Sequence, residues 1–342
     1  MMFRVYPTLA MLALACGGCG DSIPAERASN KPATVRVSDT RPVMGVRWTI
    51  TVHAPDPAGG DRAIAAGFAE AERLDRILSD YDPGSELARL SAAAPTPEPV
   101  AVGDDLWNVL VRAAEIHRLS DGAFDITVGP LTTLWRQARR SGRLPLARKL
   151  ATALAAVGGD AVVLDPEVRT ARLTRPGMRL DAGGIGMGYA ADRVLATLAG
   201  CGISAAMVDA SGDVVVSGPP PGEAGWKIRM RGMPGDDSAE PLVVHHGAVT
   251  TSGDAAQFVD IDGRRYSHVV DPRTGLGVAG PAAVTVIAPD GATADAVATA
   301  ASVLGPAEGP AVVSRIPGAA ARFIWEEDGV LKTAVTPGWP RP

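Results

Sequence analysis

Apolar residues recur along this chain with period two in some segments and period 3.6 in others. The two patterns are interleaved without a regular strand–helix–strand rhythm. That irregular order is the strongest constraint on the fold. A doubly wound parallel sheet needs the regular rhythm, so the sequence predicts an α+β domain of mixed sheets with packed helices. Residues 43–52 have strand character, with Met44-Gly45 at the start. Ile64, Phe68, Ala71, Leu74 and Leu78 predict an amphipathic helix capped by Asp61 and ending near Asp80, before the Asp82-Pro83-Gly84-Ser85 turn. Leu106, Leu110, Ala113 and Ile116 predict a second helix, residues 146–157 a third, and the segment after Gly183-Gly184 a fourth. Segments 161–164 with 169–173, and 259–261 with 264–269 around Asp262-Gly263, read as hairpins. Residues 205–208, 214–217, 283–288, 320–325 and 330–334 read as strands, and 293–304 as a helix.

Composition narrows the function classes. Of 342 residues 46% are hydrophobic but only 4% aromatic, so Ala, Val and Leu must fill the core. A formal net charge of −5 argues against a nucleic-acid binder driven by phosphate neutralisation. Three cysteines exclude a disulfide scaffold and a four-cysteine zinc site. Arg4 precedes a mostly apolar run over residues 5–15, which is signal-peptide anatomy. Cys16 follows Ala15 and Cys19 follows Gly18, which resembles a bacterial lipoprotein signal, with Cys16 favoured as the lipidated residue. The expected organisation is a signal over 1–19, a tether rich in Ser, Ala, Pro and charge over 20–41, and a folded domain over 42–336. Beyond the first 20 residues no uninterrupted apolar run reaches membrane-spanning length.

Three clusters could carry chemistry. In Leu180-Asp181-Ala182-Gly183-Gly184-Ile185-Gly186-Met187-Gly188 a strand runs through a glycine-rich turn into a helix, where backbone can approach a ligand and the helix N-terminus attracts phosphate. A tight turn without a ligand reads equally well. Asp295 and Thr299, four apart, share a helical face among alanines and suit a hard cation such as Mg²⁺; a solvated Asp beside a self-bonded Thr is the structural alternative. His268 and Asp271, within Tyr266 to Gly275, could move a proton or simply shape a turn. Tyr81 at a helix-to-turn junction and the Gly122-Ala123-Phe124-Asp125-Ile126-Thr127 segment are weaker candidates, each open to a packing explanation.

In this order, Met44-Gly45, Tyr81 to Leu87, Gly122 to Thr127, Leu180 to Ile185, Thr251-Ser252-Gly253-Asp254, Tyr266 to Gly275 and Thr293 to Thr299 resemble the FAD:protein FMN transferase family of the ApbE type. The resemblance spans about residues 43–306. It implies a Mg²⁺-dependent transferase that takes FAD as substrate. Such an enzyme attaches FMN through a phosphoester to a Thr or Ser of an acceptor protein and releases AMP. The acceptor would be a periplasm-facing redox subunit, and the enzyme a lipid-anchored protein on the periplasmic face of a bacterial inner membrane. Carried over residue by residue, the dinucleotide would contact Met44, Tyr81, Ala123, Phe124, Asp125, Asp181, Met187 and Val270. The metal would be held by the carbonyls of Gly184 and Ala298, the Asp295 carboxylate and the Thr299 hydroxyl. His268 or Asp271 would act as general base.

Departures from the family pattern keep two other readings open. Met187 stands where relatives often have lysine, and Ala255-Ala256 where they often carry an aromatic and an arginine. Water in place of the acceptor hydroxyl would give a periplasmic FAD pyrophosphatase, and loss of chemistry altogether an FAD-binding lipoprotein.

Overall fold

Eight segments with alternating side chains pair into one antiparallel sheet. Its order is Val35–Val43, Val46–Ala54, Ala205–Ala210, Asp213–Val216, Gly247–Gly253, Ala282–Ala288, Ala320–Glu327 and Val330–Val335. The computed structural model describes residues 34–230, 232–233, 236, 240–253, 258–280 and 282–340. The proposed signal, Cys16, Cys19, the tether before residue 34, and Asp254 to Ala256 lie outside the described residues.

Among the described residues seven α-helices accompany the sheet: α1 (Pro57–Leu78), α2 (Glu86–Ala92), α3 (Asp104–Leu119), α4 (Gly129–Ser141), α5 (Ala147–Ala155), α6 (Gly186–Gly200) and α7 (Gly291–Val313). One face of the sheet supplies Trp48, Ile50, Val52, Val208, Val215, Val286 and Phe323 to a core shared with α1, α6 and α7. The alternate residues Ala205, Val214, Val216 and Val249 face a smaller cluster built on the paired segments Trp226–Ile228 and Leu242–Val244. A third cluster joins Leu131, Trp135 and Ala138 of α4 to Tyr266 and Val270 of the Arg264–Val270 strand.

Several sequence expectations need correction. Residues 35–41, expected in the tether, form an edge strand paired with Val46–Ala54. Its side chains are mostly polar and exposed, as befits an edge, and that hides the alternation. Met44-Gly45 is accordingly the two-residue turn of that hairpin, both residues having positive φ (51° and 73°), and not a strand start. The first helix begins at Pro57, not after Asp61. Asp56 caps it by accepting from Gly59 N at 2.7 Å, and proline at the first helical position starts a helix where it would break one further in. Strand Gly247–Gly253 and helix α4 were not expected at all. The Asp262-Gly263 hairpin forms as predicted, with φ of 51° and 76°.

Helices α6 and α7 cross with almost nothing between them. A Cβ at Gly188 would lie 2.1 Å from the Gly291 carbonyl oxygen, and one at Gly291 would lie 2.4 Å from that of Gly188. The Asp192 carboxylate of α6 accepts from Gly291 N (2.7 Å) and Ala292 N (3.0 Å), capping α7 from outside. Helix α7 runs past the expected end at Leu304 across a kink at Gly305, where φ is 68° and Pro306 follows. By length and composition α7 could cross a membrane, but it lies between sheet and α6 and carries the buried Asp295, which is the profile of a core helix.

Candidate functional site

A cavity of about 510 Å³ opens where the Met44-Gly45 turn, the end of α1 and the start of α6 converge. Met44, Leu78, Tyr81, Gly183 and Met187 line it. No side chain caps α6, whose first residues, Gly186 and Met187, face this space. Amide groups at an uncapped helix start favour an anion. Past the end of α1, Ser79 Oγ accepts from Tyr81 N (3.2 Å) and Asp82 N (3.1 Å), a turn that presents the Tyr81 ring at 74% exposure.

That ring is backed by Arg136, whose guanidinium carbon lies 4.2 Å from its centroid. Arg136 reaches this place because α4 starts beside Asp181. Gly129 N donates to Arg179 O at 3.2 Å, and Thr132 Oγ1 donates to Asp181 Oδ2 at 2.6 Å. The guanidinium then bridges Asp80 and Asp181, with Nη2 to Asp181 Oδ2 at 3.1 Å. Asp181 Oδ1 accepts from Gly183 N at 2.8 Å, which fixes the glycine turn. Burial and the neighbouring Asp181 charge raise the pKa of Asp80 in spite of its bond to Arg136.

The other side of the same turn meets α7. A Cβ on Gly184 would lie 2.9 Å from Thr299 Oγ1 and 3.4 Å from Phe124 Cε2, so only glycine brings backbone this close to the hydroxyl. Asp295, Ala298 and Thr299 occupy i, i+3 and i+4 of α7, on one face. Asp295 is 5% exposed, and its carboxylate accepts from Gly188 N at 3.3 Å. Burial and then the Asp213 charge push its pKa well above the ordinary carboxylate value, with Asp192 adding to the effect. Asp192 itself is pushed up to about 6 by burial, against its two amide donors. A buried carboxylate whose charged neighbours are carboxylates is a strong attractor for a cation. One carboxylate, one hydroxyl and nearby carbonyls are hard oxygen donors, so these residues fit Mg²⁺. Among the described residues no group of three or more His, Cys, Asp or Glu could hold a metal, so any such site must draw on hydroxyl and carbonyl oxygens.

The other candidates sit on neighbouring loops and on the Arg264–Val270 strand. Ala123 and Phe124 are buried in the main core beneath the glycine turn. The Asp125 carboxylate accepts from Thr127 N (2.8 Å), Thr127 Oγ1 (2.6 Å) and Gly159 N (2.8 Å), so it holds its own loop and leaves backbone groups for any ligand. The Val270 side chain is packed in the α4 cluster. His268 is half-buried on the Arg264–Val270 strand. Asp271 caps its turn and accepts three hydrogen bonds from Arg273: from N (2.9 Å), Nε (3.0 Å) and Nη2 (3.1 Å).

Comparison with known proteins places the chain in a family. The model of the ApbE family matches residues 44–323. The chain belongs to the ApbE family. A protein named FAD:protein FMN transferase from Klebsiella pneumoniae (strain 342) is 32% identical over 329 residues, covering 94% of this chain and 92% of its own length. One of the same name from Treponema pallidum (strain Nichols) is 31% identical over 313 residues, 85% of each. Among solved structures, Flavin Transferase ApbE from Vibrio cholerae superposes with a TM-score of 0.79 at 28% identity, covering 90% of this chain and 98% of its own. The apbe protein of Thermotoga maritima gives 0.78 at 30% identity, covering 88% and 97%.

Four residues around this candidate site had no role assigned from the sequence: Asp80, Arg136, Asp192 and Asp213. Arg136 is 45 residues from Asp181 and 56 from Asp80, so only the fold assembles the triad. Asp213 reaches Asp295 because residues 213 and 215 share the helix-facing side of their strand. The Leu131–Trp135–Ala138 spacing on α4 was the one signal that could have placed Arg136 on a helix.

Proposed function

We propose that the protein transfers the FMN half of FAD to a Thr or Ser hydroxyl of an acceptor protein, releasing AMP, with Mg²⁺ required. The observation that carries this reading is the Asp181 to Gly188 segment. One side of it borders a cavity able to take a planar ring beside Tyr81 and Met44, and the other touches Thr299 and Asp295. The names of the relatives, FAD:protein FMN transferase and Flavin Transferase, support it. The start of α6 receives the pyrophosphate, and Tyr81, stiffened by Arg136, flanks an aromatic ring of the dinucleotide. Held by Asp295, Thr299 and the Gly184 and Ala298 carbonyls, Mg²⁺ would neutralise charge on the pyrophosphate. The acceptor hydroxyl oxygen bonds to the FMN phosphorus as the bond from that phosphorus to the bridging oxygen breaks. AMP leaves with the bridging oxygen. The hydroxyl proton passes to His268, because the Asp271 carboxylate already accepts three hydrogen bonds from Arg273.

The test is direct. The protein, FAD, Mg²⁺ and candidate periplasm-facing redox subunits are incubated together, and a denaturing gel is scanned for flavin fluorescence. Labelled acceptor is expected; AMP release without labelled acceptor would replace transfer by hydrolysis. Met187 lines the cavity at the first turn of α6. Met187→Lys is expected to tighten FAD binding by about threefold to tenfold through a charge-assisted contact with the pyrophosphate. Titration of flavin fluorescence reads this, and an unchanged or weaker affinity would remove the pyrophosphate from that end of the cavity.

The same proposal includes a lipid anchor on Cys16, or on Cys19, facing the periplasm. Two acyl chains hold a protein at a bilayer where one does not. With both cysteines changed to serine the protein should move to the soluble fraction. Sedimentation with membranes after a high-salt wash would contradict the anchor.

A further inference from the structure

A second cavity, of about 430 Å³, lies beside the Asp271 turn. One wall is α7, with Ser302, Leu304 and the Gly305-Pro306 kink. The strand Gly277–Ala279 also lines it, with Trp325 and Glu326. In the three-stranded sheet the order is Phe258–Ile261, Arg264–Val270, Gly277–Ala279, so the wall strand is an edge and its second side pairs with no strand among the described residues. Such an edge is a template for one more strand.

Two observations tie this groove to the reaction site. Asp295, Thr299 and Ser302 are spaced by four and three residues, so they form one stripe along α7. Ser302 lines the groove one helical turn beyond Thr299, so the groove begins on the same side of α7 as the proposed metal ligands. Asp271 and Thr274 of the turn next to His268 lie on its rim. The lining suits an extended chain, with Leu276, Val278, Leu304 and Trp325 for alternate apolar side chains, and Arg264 and Glu326 for charged ones. At Gly305 the helical path breaks with φ of 68°, and a Cβ there would meet nothing within 4 Å, so the space beside the kink is free.

We propose that the acceptor protein docks here as an extended segment beside the Gly277–Ala279 edge, its reactive hydroxyl carried along the α7 stripe toward Thr299. The proposal rests on the transferase reading and adds where the second substrate binds. A groove of this form selects accessible, unfolded segments of the acceptor and rejects a hydroxyl fixed within a helix.

Ala279 is exposed and outside the dinucleotide cavity, so Ala279→Trp fills the groove with a residue that strands tolerate. Leu276→Glu removes an exposed apolar contact from the rim. The probe is a synthetic library of ten-residue peptides with one central threonine, given FAD and Mg²⁺, with flavin attached to peptide measured by fluorescence and mass. Wild-type protein should label the library. Ala279→Trp should lower labelling at least twentyfold and Leu276→Glu at least fivefold, with melting temperature and FAD dissociation constant within error of wild type. Labelling within twofold of wild type in both variants overturns the groove and leaves the transferase reading standing. Labelling of a redox subunit but of no peptide overturns the extended-segment groove alone, and labelling of neither overturns the transferase reading and the groove with it. A self-association that Ala279→Trp abolishes while labelling persists would make the groove a contact between copies and end the proposal.

Discussion

Asp295→Asn is expected to abolish FMN transfer, by about 10³-fold or more, while making the magnesium-free protein more stable. Loss of a metal-supplied stabilisation of several kcal/mol corresponds to that factor. The gain in stability follows from burial. Asp295 is held in the core next to Asp213, and its pKa lies well above the ordinary value. A group whose folded pKa is raised favours the folded state below its unfolded pKa, and that advantage is lost as pH rises toward the folded pKa. Magnesium-free wild-type protein should therefore melt at a lower temperature at pH 8 than at pH 5. Asn keeps an acceptor for Gly188 N and removes the titration, so the variant should show a flatter pH profile. Saturating Mg²⁺ should raise the melting temperature of the wild type and leave the variant unmoved. Equal Mg²⁺ stabilisation of both proteins would remove Asp295 from the metal site.

Arg136→Met should cost about 3 kcal/mol of folding stability, the range for removing one member of a mostly buried charge cluster. Its side chain is 21% exposed, and the two carboxylates it bridges are 11% and 6% exposed. Without the guanidinium, Asp80 and Asp181 face each other, and the pKa of Asp80, already raised, climbs further. By the same linkage the deficit against wild type must be larger at pH 8 than at pH 5, which urea melts at the two pH values would read. Tyr81 also loses its cationic partner, so FAD affinity should fall about threefold or more. A deficit independent of pH would mean that Arg136 acts through packing alone.

Local chemistry decided what was legible. The Asp262-Gly263 hairpin could be read because its turn residues tolerate positive φ, and the start of α6 because a glycine run precedes it. The Asp295/Thr299 pair could be read because helical spacing places both on one face. The Val35–Val43 strand could not, since an edge strand with polar side chains carries little apolar alternation. The start of α1 was misplaced because Asp61 also has the chemistry of a cap, whereas the cap is Asp56, with proline at the first helical position after it. Arg136 stayed hidden for a different reason: the apolar spacing within α4 marks the helix but not Arg136 as a site residue, because its partners come from the end of α1 and the glycine turn. The role of Asp271 was open between base and turn cap, and only the Arg273 contacts show it engaged in the turn.

The bond from Asp192 to the first amides of α7 has a kinetic consequence. It and the Gly188–Gly291 crossing fasten α6 to α7 at the place where the glycine turn faces Asp295. Helices joined in this way turn as one lever, so the span from the start of α6, proposed above to receive the pyrophosphate, to Thr299 is set when the chain folds and would not have to be found again at each turnover. Little ordering entropy is then left for the bound state to supply on that side. On the reading proposed above, adjustment to an incoming dinucleotide would fall instead to the Met44-Gly45 hairpin tip and to the exposed Tyr81, both of which line the cavity. Mutations that loosen the α6–α7 joint should therefore slow the chemical step, and mutations at the hairpin tip or Tyr81 should change how fast FAD comes and goes.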